Sequence, residues 1–140
     1  ASIVIKQRDN LMDLTKHFPD IHQQLVEHGG CLPVKHVQTH LSAFDLTINQ
    51  FMQALIPLVS VTSVSPVSHF QAACVALGAT GNLYVGANQE YQGTPLSFAI
   101  HAEQAALVIA HLHGETAINT ILTSASPCGH CRQFLYELEQ

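Results

Sequence analysis

A histidine, a glutamate and two cysteines stand at spacings suited to metal chemistry: His101-Ala102-Glu103, and further along Pro127-Cys128-Gly129-His130-Cys131. One imidazole nitrogen and two thiolates fill three corners of a tetrahedron around Zn²⁺ and leave a fourth for water. An open corner marks a catalytic rather than a structural site. A structural site wants four protein ligands, and no residue at suitable spacing beyond Glu103 offers a fourth. Glu103 is then the proton carrier. Two thiolates and a neutral imidazole cancel the charge of the metal, so this zinc acidifies water less than an all-histidine site does, and the carboxylate becomes more necessary.

The elements around these residues must aim them. Cys128 and Cys131 are i and i+3, so the first turn of a helix points both sulfurs to one side. Ser126 is the expected N-cap and Pro127 the expected first helical residue. The partial positive charge at that helix start favours thiolate over thiol. A second helix is expected from Ala99 to about His113, with Ala102, Ala105, Ala106, Ile109 and Ala110 as a small apolar face. Within a regular helix Glu103 would point about 200° away from His101. A bent or frayed first turn is therefore needed for the carboxylate to reach the metal corner.

His-x-Glu followed by Pro-Cys-x-x-Cys is the signature of zinc-dependent nucleoside and nucleobase deaminases. The longer strings His101-Ala102-Glu103-Gln104, Pro127 to Phe134 and Gly86-Ala87-Asn88-x-Glu90 resemble the cytidine deaminase family, in particular its larger bacterial homodimeric type. The resemblance runs from roughly Pro57 to Leu138. It implies hydrolytic deamination of cytidine and 2′-deoxycytidine to uridine and 2′-deoxyuridine with release of ammonia, using zinc-activated water and Glu103 as the proton shuttle. It also implies a homodimer.

Further site residues follow from the resemblance. Asn88 and Glu90 would hold the ribose 3′-hydroxyl by donating and accepting hydrogen bonds; the competing reading is a polar turn. Phe70 would stack on the pyrimidine, or else be a core strand residue. The family often has Val-Gly-Ala after this phenylalanine, whereas this chain has Ala72-Ala73-Cys74. Ala102 would act through its amide on the base carbonyl, and Ser126 through its carbonyl on the exocyclic amine. Arg132 would donate to a zinc thiolate, or be a surface arginine.

Composition narrows the class. The chain has 140 residues, 47% of them apolar, enough for one core in a globular protein. Five Lys+Arg against ten Asp+Glu give a formal charge of −5, which disfavours nucleic acid as a partner. The most apolar run, Phe51 to Val67, is broken by Gln53, Pro57 and several serines well short of the about 20 residues of a membrane span. Residues Ala1–Arg8 lack the regions of a secretory signal, so the expected location is cytoplasmic. Cys31 and Cys74 are read as reduced. The remaining histidines are read as scattered over helices rather than as a second metal site; His28, His111 and His113 suit helix C-termini.

Two parts are expected. Residues 1–44 form a small all-helical region, with segments at Asn10–Phe18, from Pro19 toward Gly29-Gly30 and over Val34–Phe44, sharing Leu25, Val26, Val37 and Leu41 as a core. Residues 45–140 form the zinc-dependent deaminase domain. There Asp45 caps a helix carrying Leu46, Phe51, Leu55 and Leu58 inward despite Pro57. Strands at Phe70–Leu77 and Leu83–Ala87 form a hairpin, followed by the His101 helix, a strand at Asn119–Ser124 and the Cys128 helix. The β-β-α-β-α order gives a three-layer α/β/α sandwich. After Cys131 the family continues with further strands and helices, so the chain reads as an N-terminal fragment, incomplete at its C-terminus. A partner chain or the following segment would then cover an open sheet edge. The alternative function is a zinc-stabilised folding or dimerisation fragment, inactive alone. A deaminase of nucleic acid is disfavoured by the acidic balance, and a free-base deaminase has no use for Asn88 and Glu90.

Overall fold

The hairpin that carries the sheet owes its form to a run of residues buried on both faces. Strand β2 (Ala73–Gly78) is almost continuously buried and pairs antiparallel with β3 (Leu83–Ala87), in register Ala73↔Ala87 through Leu77↔Leu83. Alternation splits each strand between two cores. Ala73, Val75, Leu83, Val85 and Ala87 face one core, and Cys74, Ala76 and Tyr84 face the other. Such two-sided burial requires a layer on each face.

The computed structural model describes residues 12–138. The Ala1–Arg8 reading and the start of the expected Asn10–Phe18 segment lie outside them; residues 12–16 are helical. The chain then runs through α1 (Phe18–Glu27), β1 (Cys31–Leu32), α2 (Val34–Phe44), α3 (Ile48–Ser60), the hairpin β2–β3, a 3₁₀ turn (Leu96–Phe98), α4 (Ala102–Leu112), β4 (Ile118–Thr123) and α5 (Gly129–Leu138). The four strands lie in the order β1-β3-β2-β4, every pairing antiparallel. Helix α3 covers one face through Phe51, Met52, Leu55 and Val59, and α4 covers the other through Ala102, Ala106, Leu107 and Ala110. The expected α/β/α sandwich is therefore present.

Helix α4 lies close to the sheet because small residues meet there. A methyl group built on Gly86 would strike the Ala102 carbonyl and the Ala106 amide. On the α3 face the N-terminal helices join the same core, where Leu14, Ile21, Leu25, Leu32 and Val37 pack with Phe51 and Val75. Asn82, in the hairpin turn, accepts from the Val34 amide at 2.8 Å and so satisfies the start of α2.

Several local expectations need correction. Segment 1–44 contributes a strand: Cys31 and Leu32 pair with Tyr84 and Leu83, after a turn in which Gly30 takes φ +88°. Val26 is 65% exposed and lies outside the core. Thr47, not Asp45, caps α3, accepting from the Gln50 amide at 3.3 Å while the Gln50 side chain accepts from the Thr47 amide at 2.9 Å. Asp45 instead ends α2 with a left-handed backbone. Strand β2 begins three residues after Phe70, and β4 one residue before the expected Asn119. In β4 a register shift skips Asn119, which lets Ile118 and Ile121 face the same core. Among the described residues no helix is long and apolar enough to cross a membrane.

Candidate metal centre and substrate cleft

Two helix starts converge at one end of the sheet. His101 directly precedes α4 with an extended backbone (φ −86°, ψ 154°), so it is outside the helix rather than within it. That resolves the angular conflict between His101 and Glu103: only Glu103, at the second helical position, obeys the helical rotation. Helix α5 begins at Gly129, so Cys128, not Ser126, is the residue immediately before the helix. The Cys128 carbonyl accepts from the Arg132 amide at 2.9 Å, and its sulfur lies 3.4 Å from the Cys131 amide, which donates to it. Cys128 thus caps its own helix, and Pro127 stands before the cap. Ser126 stays in the loop.

The three expected ligand atoms meet. The donor atoms of His101, Cys128 and Cys131 lie within 4.8 Å of one another. His101 Nδ1 is 3.5 Å from Cys128 Sγ and 3.3 Å from Cys131 Sγ. A tetrahedral zinc with ordinary bond lengths would hold sulfur and nitrogen about 3.5 Å apart, so the spacing fits the ion. The other imidazole nitrogen, Nε2, lies 3.3 Å from the Leu96 carbonyl; donating to it, the ring presents Nδ1 to the sulfurs as the ligand atom.

Glu103 is 7% exposed, and Cys131 Sγ donates to its Oε2 at 3.3 Å. Burial first, and then the Glu103 carboxylate, push the Cys131 thiol well above its ordinary range. Thiolate and carboxylate in one buried corner repel unless a cation sits between them, so this donor set suits a divalent ion. Cys31 and Cys74 are buried free thiols, expected as such. Burial pushes Cys31 up to about 11 and Cys74 up to about 12, which keeps both protonated and inert.

All nine expected site residues line one cleft: Phe70, Asn88, Glu90, His101, Ala102, Glu103, Ser126, Cys128 and Cys131. Phe70 precedes β2 and is 53% exposed at the cleft, so it is not a core strand residue. Asn88 and Glu90 follow β3 and are buried. They tie down the segment that carries Phe70. Asn88 Oδ1 accepts from Ser63 Oγ and from the Ala72 amide, and its Nδ2 donates to the Phe70 carbonyl at 2.9 Å. Glu90 Oε2 accepts from the Val67 and Ser68 amides at 3.0 and 2.9 Å, and Oε1 accepts from Ser68 Oγ. The Ser68 hydroxyl, chiefly, holds the Glu90 carboxyl below its ordinary range. Gln89 exchanges two backbone bonds with Ile100, which brings Asn88 and Glu90 alongside the segment that leads into His101.

Arg132 does not reach a thiolate; its Nε donates to the Pro127 carbonyl at 3.0 Å, bracing the loop before Cys128. Three contributors escaped the sequence reading. Ser68 holds Glu90, and Ser124 Oγ accepts from the Ala73 amide at 2.9 Å at the cleft floor. Gln104 accepts from the His101 amide through Oε1 at 3.1 Å. The last was detectable: a glutamine three residues after a residue that precedes a helix is a capping pattern. The two serines carry no such local sign, because their partners lie 22 and 51 residues away.

A family model for the cytidine and deoxycytidylate deaminase zinc-binding region matches residues 46–140. The cytidine deaminase of Aliivibrio fischeri is 44% identical over 112 residues, covering 80% of this chain and 38% of that protein. The cytidine deaminase of Photorhabdus laumondii is 49% identical over 90 residues, covering 64% and 31%. The chain thus spans about a third of the length of these relatives. Among solved structures, the cytidine deaminase of Mycobacterium leprae superposes with a TM-score of 0.59 at 24% identity, covering 66% of this chain and 81% of that one. That of Mycobacterium tuberculosis gives 0.60 at 22%, covering 66% and 78%. At these identities the structural likeness speaks to the fold.

Proposed function

This chain belongs to the cytidine and deoxycytidylate deaminase zinc-binding family, and on that premise we propose that it carries the catalytic centre for hydrolytic deamination of cytidine and 2′-deoxycytidine. The products are uridine or 2′-deoxyuridine and ammonia, a pyrimidine salvage reaction. The observation that carries the reading is the convergence of His101 Nδ1 and two sulfurs beside a buried carboxylate, in the same cleft as Asn88 and Glu90.

His101, Cys128 and Cys131 are the residues that hold zinc, and zinc in that position supplies Lewis-acid polarisation of a water molecule. Glu103 takes the proton of the attacking water and delivers it to N3 of the pyrimidine, so that the ring accepts the oxygen at C4 without building up charge. Glu103 then takes the remaining proton from the new C4 hydroxyl and hands it to the amine; the C4–N bond breaks, the C4 oxygen becomes the carbonyl and ammonia leaves. The Ala102 amide binds the base carbonyl at the positive end of α4, and the Ser126 carbonyl accepts from the exocyclic amine. Phe70 stacks on the pyrimidine. Asn88 Nδ2 has a second hydrogen and Glu90 Oε1 a further acceptor position, enough to grip the ribose 3′-hydroxyl after their internal bonds are counted.

We assign residues 1–44, whose strand β1 lies between two helices, to an N-terminal region and 45–140 to the deaminase domain. The working assembly is a homodimer in the cytoplasm, with no nucleic-acid partner. An ultraviolet assay on cytidine, with zinc measured in the same sample, tests the reading. Turnover with one zinc per chain and none on cytosine supports it. Zinc without turnover favours the folding or dimerisation fragment, and absence of zinc sinks both.

A further inference from the structure

One side-chain contact joins the two ligand-bearing helix starts without touching a ligand atom. Gln104 Oε1 accepts from the His101 backbone N–H at 3.1 Å. A backbone N–H only donates, so this bond fixes which way the amide points. Gln104 Nε2 therefore faces His130, and it lies 3.0 Å from His130 Nε2. An amide NH₂ also only donates, so His130 Nε2 is the acceptor and the neutral ring carries its hydrogen on Nδ1. The His130 ring further packs beside the His101 ring, centroids 5.3 Å apart and planes inclined at 49°.

The placement of these two residues matters. His101 ends the segment that enters α4, and His130 lies between the two cysteines on the first turn of α5. One glutamine side chain thus spans from the backbone of the histidine ligand to the turn carrying both sulfurs. No covalent link nearer than 27 residues of chain sets that distance, and the His101 and Cys128 atoms must agree to a few tenths of an ångström for a tetrahedral ion.

We propose that Gln104 and His130 are positioning residues that clamp the two helix starts together and so hold the metal in place. The inference rests on the zinc reading above. Partners bonded to the ligating groups themselves change metal affinity about 10- to 100-fold when removed, and a clamp on the backbone that carries a ligand is expected at the lower end of that range.

The test uses the zinc-loaded 140-residue chain and follows zinc release to excess chelator by a colorimetric indicator. His130→Leu and Gln104→Ala are each expected to speed release about ten-fold. The double variant should release no faster than the faster single one, because both remove the same bridge. His130→Gln, whose carbonyl can accept in place of Nε2, should restore slow release. Nitrogen NMR of the wild-type chain should find His130 protonated on Nδ1. The clamp is overturned by release from His130→Leu at the wild-type rate, by effects that multiply in the double variant, by no rescue in His130→Gln, or by an Nε2–H ring. Zinc content of the wild-type chain separates the two failures. A wild-type chain without zinc sinks the metal reading and the clamp together, whereas a zinc-holding chain indifferent to both substitutions sinks the clamp alone.

Discussion

Glu103 and Glu115 stand at opposite ends of helix α4 and of the sheet beneath it, and their surroundings differ in kind. Glu115 accepts from the Thr80 hydroxyl and amide, the Thr116 amide and the Tyr84 hydroxyl, the last at 2.9 Å. Burial alone would raise its pKa, but the bonds from Thr80 and Tyr84 outweigh that and hold the carboxyl below its ordinary range. Glu103 is more deeply buried, yet its side-chain partner among the described residues is the Cys131 sulfur. A carboxylate saturated with hydrogen bonds is a strut. One left with unused acceptor positions beside three metal donors is free to carry a proton, which is the physical difference between a structural and a chemical use of the same residue.

The largest effect should separate the two glutamates. Glu103→Gln is expected to cut cytidine turnover about 10²- to 10⁴-fold while zinc content and melting temperature stay near wild type. Normal turnover in that variant would end the proton-shuttle role. Glu115→Ala should do the reverse, leaving the buried Tyr84 hydroxyl without its acceptor and destabilising the fold by about 1–3 kcal/mol in urea melts, with zinc binding retained. Loss of zinc at unchanged stability would reverse the comparison.

Gly86→Ala sharpens the comparison from the packing side, since the added methyl must push the start of α4, beside Glu103, off β3. A loss of about 1–3 kcal/mol is expected, together with faster zinc release, because α4 also delivers His101 and Glu103. The smallest effect is in pH. Glu115 has a depressed folded pKa, so its contribution is fully present above the ordinary carboxylate value of about 4.5 and is lost as pH falls through the folded value. Melting temperature should drop in acid below that point, and drop less in Glu115→Ala. The slope that remains belongs in part to Glu90, shifted in the same direction.

Much of the metal corner is legible in the sequence. The i, i+3 cysteines, the hairpin and the small-residue face of α4 are local patterns, and each recurs in the fold at nearly its expected place. Errors gathered where a helix begins. Ser126 and Asp45 looked like caps by residue type, but Cys128 and Thr47 do the capping, because a cap is decided by which backbone amide its side-chain atom can reach. Strand β1 was hidden because two residues between helices show no period; it exists because β3 offers an open edge beside it.

The sequence by itself determined the chemistry on offer: which atoms can ligate, which carboxylate travels with them, and that two short helices would present them at their starts. Spacing within a turn encodes these things, since the peptide backbone allows few geometries over three or four residues. Only the tertiary structure decided that the two starts face each other at ligand distance. It alone placed Phe70 at the cleft rather than in the core, and turned Asn88 and Glu90 inward on the loop before β2. Those distances join residues tens of positions apart, and the packing of α4 on the sheet at Gly86 sets them, not any pattern read along the chain.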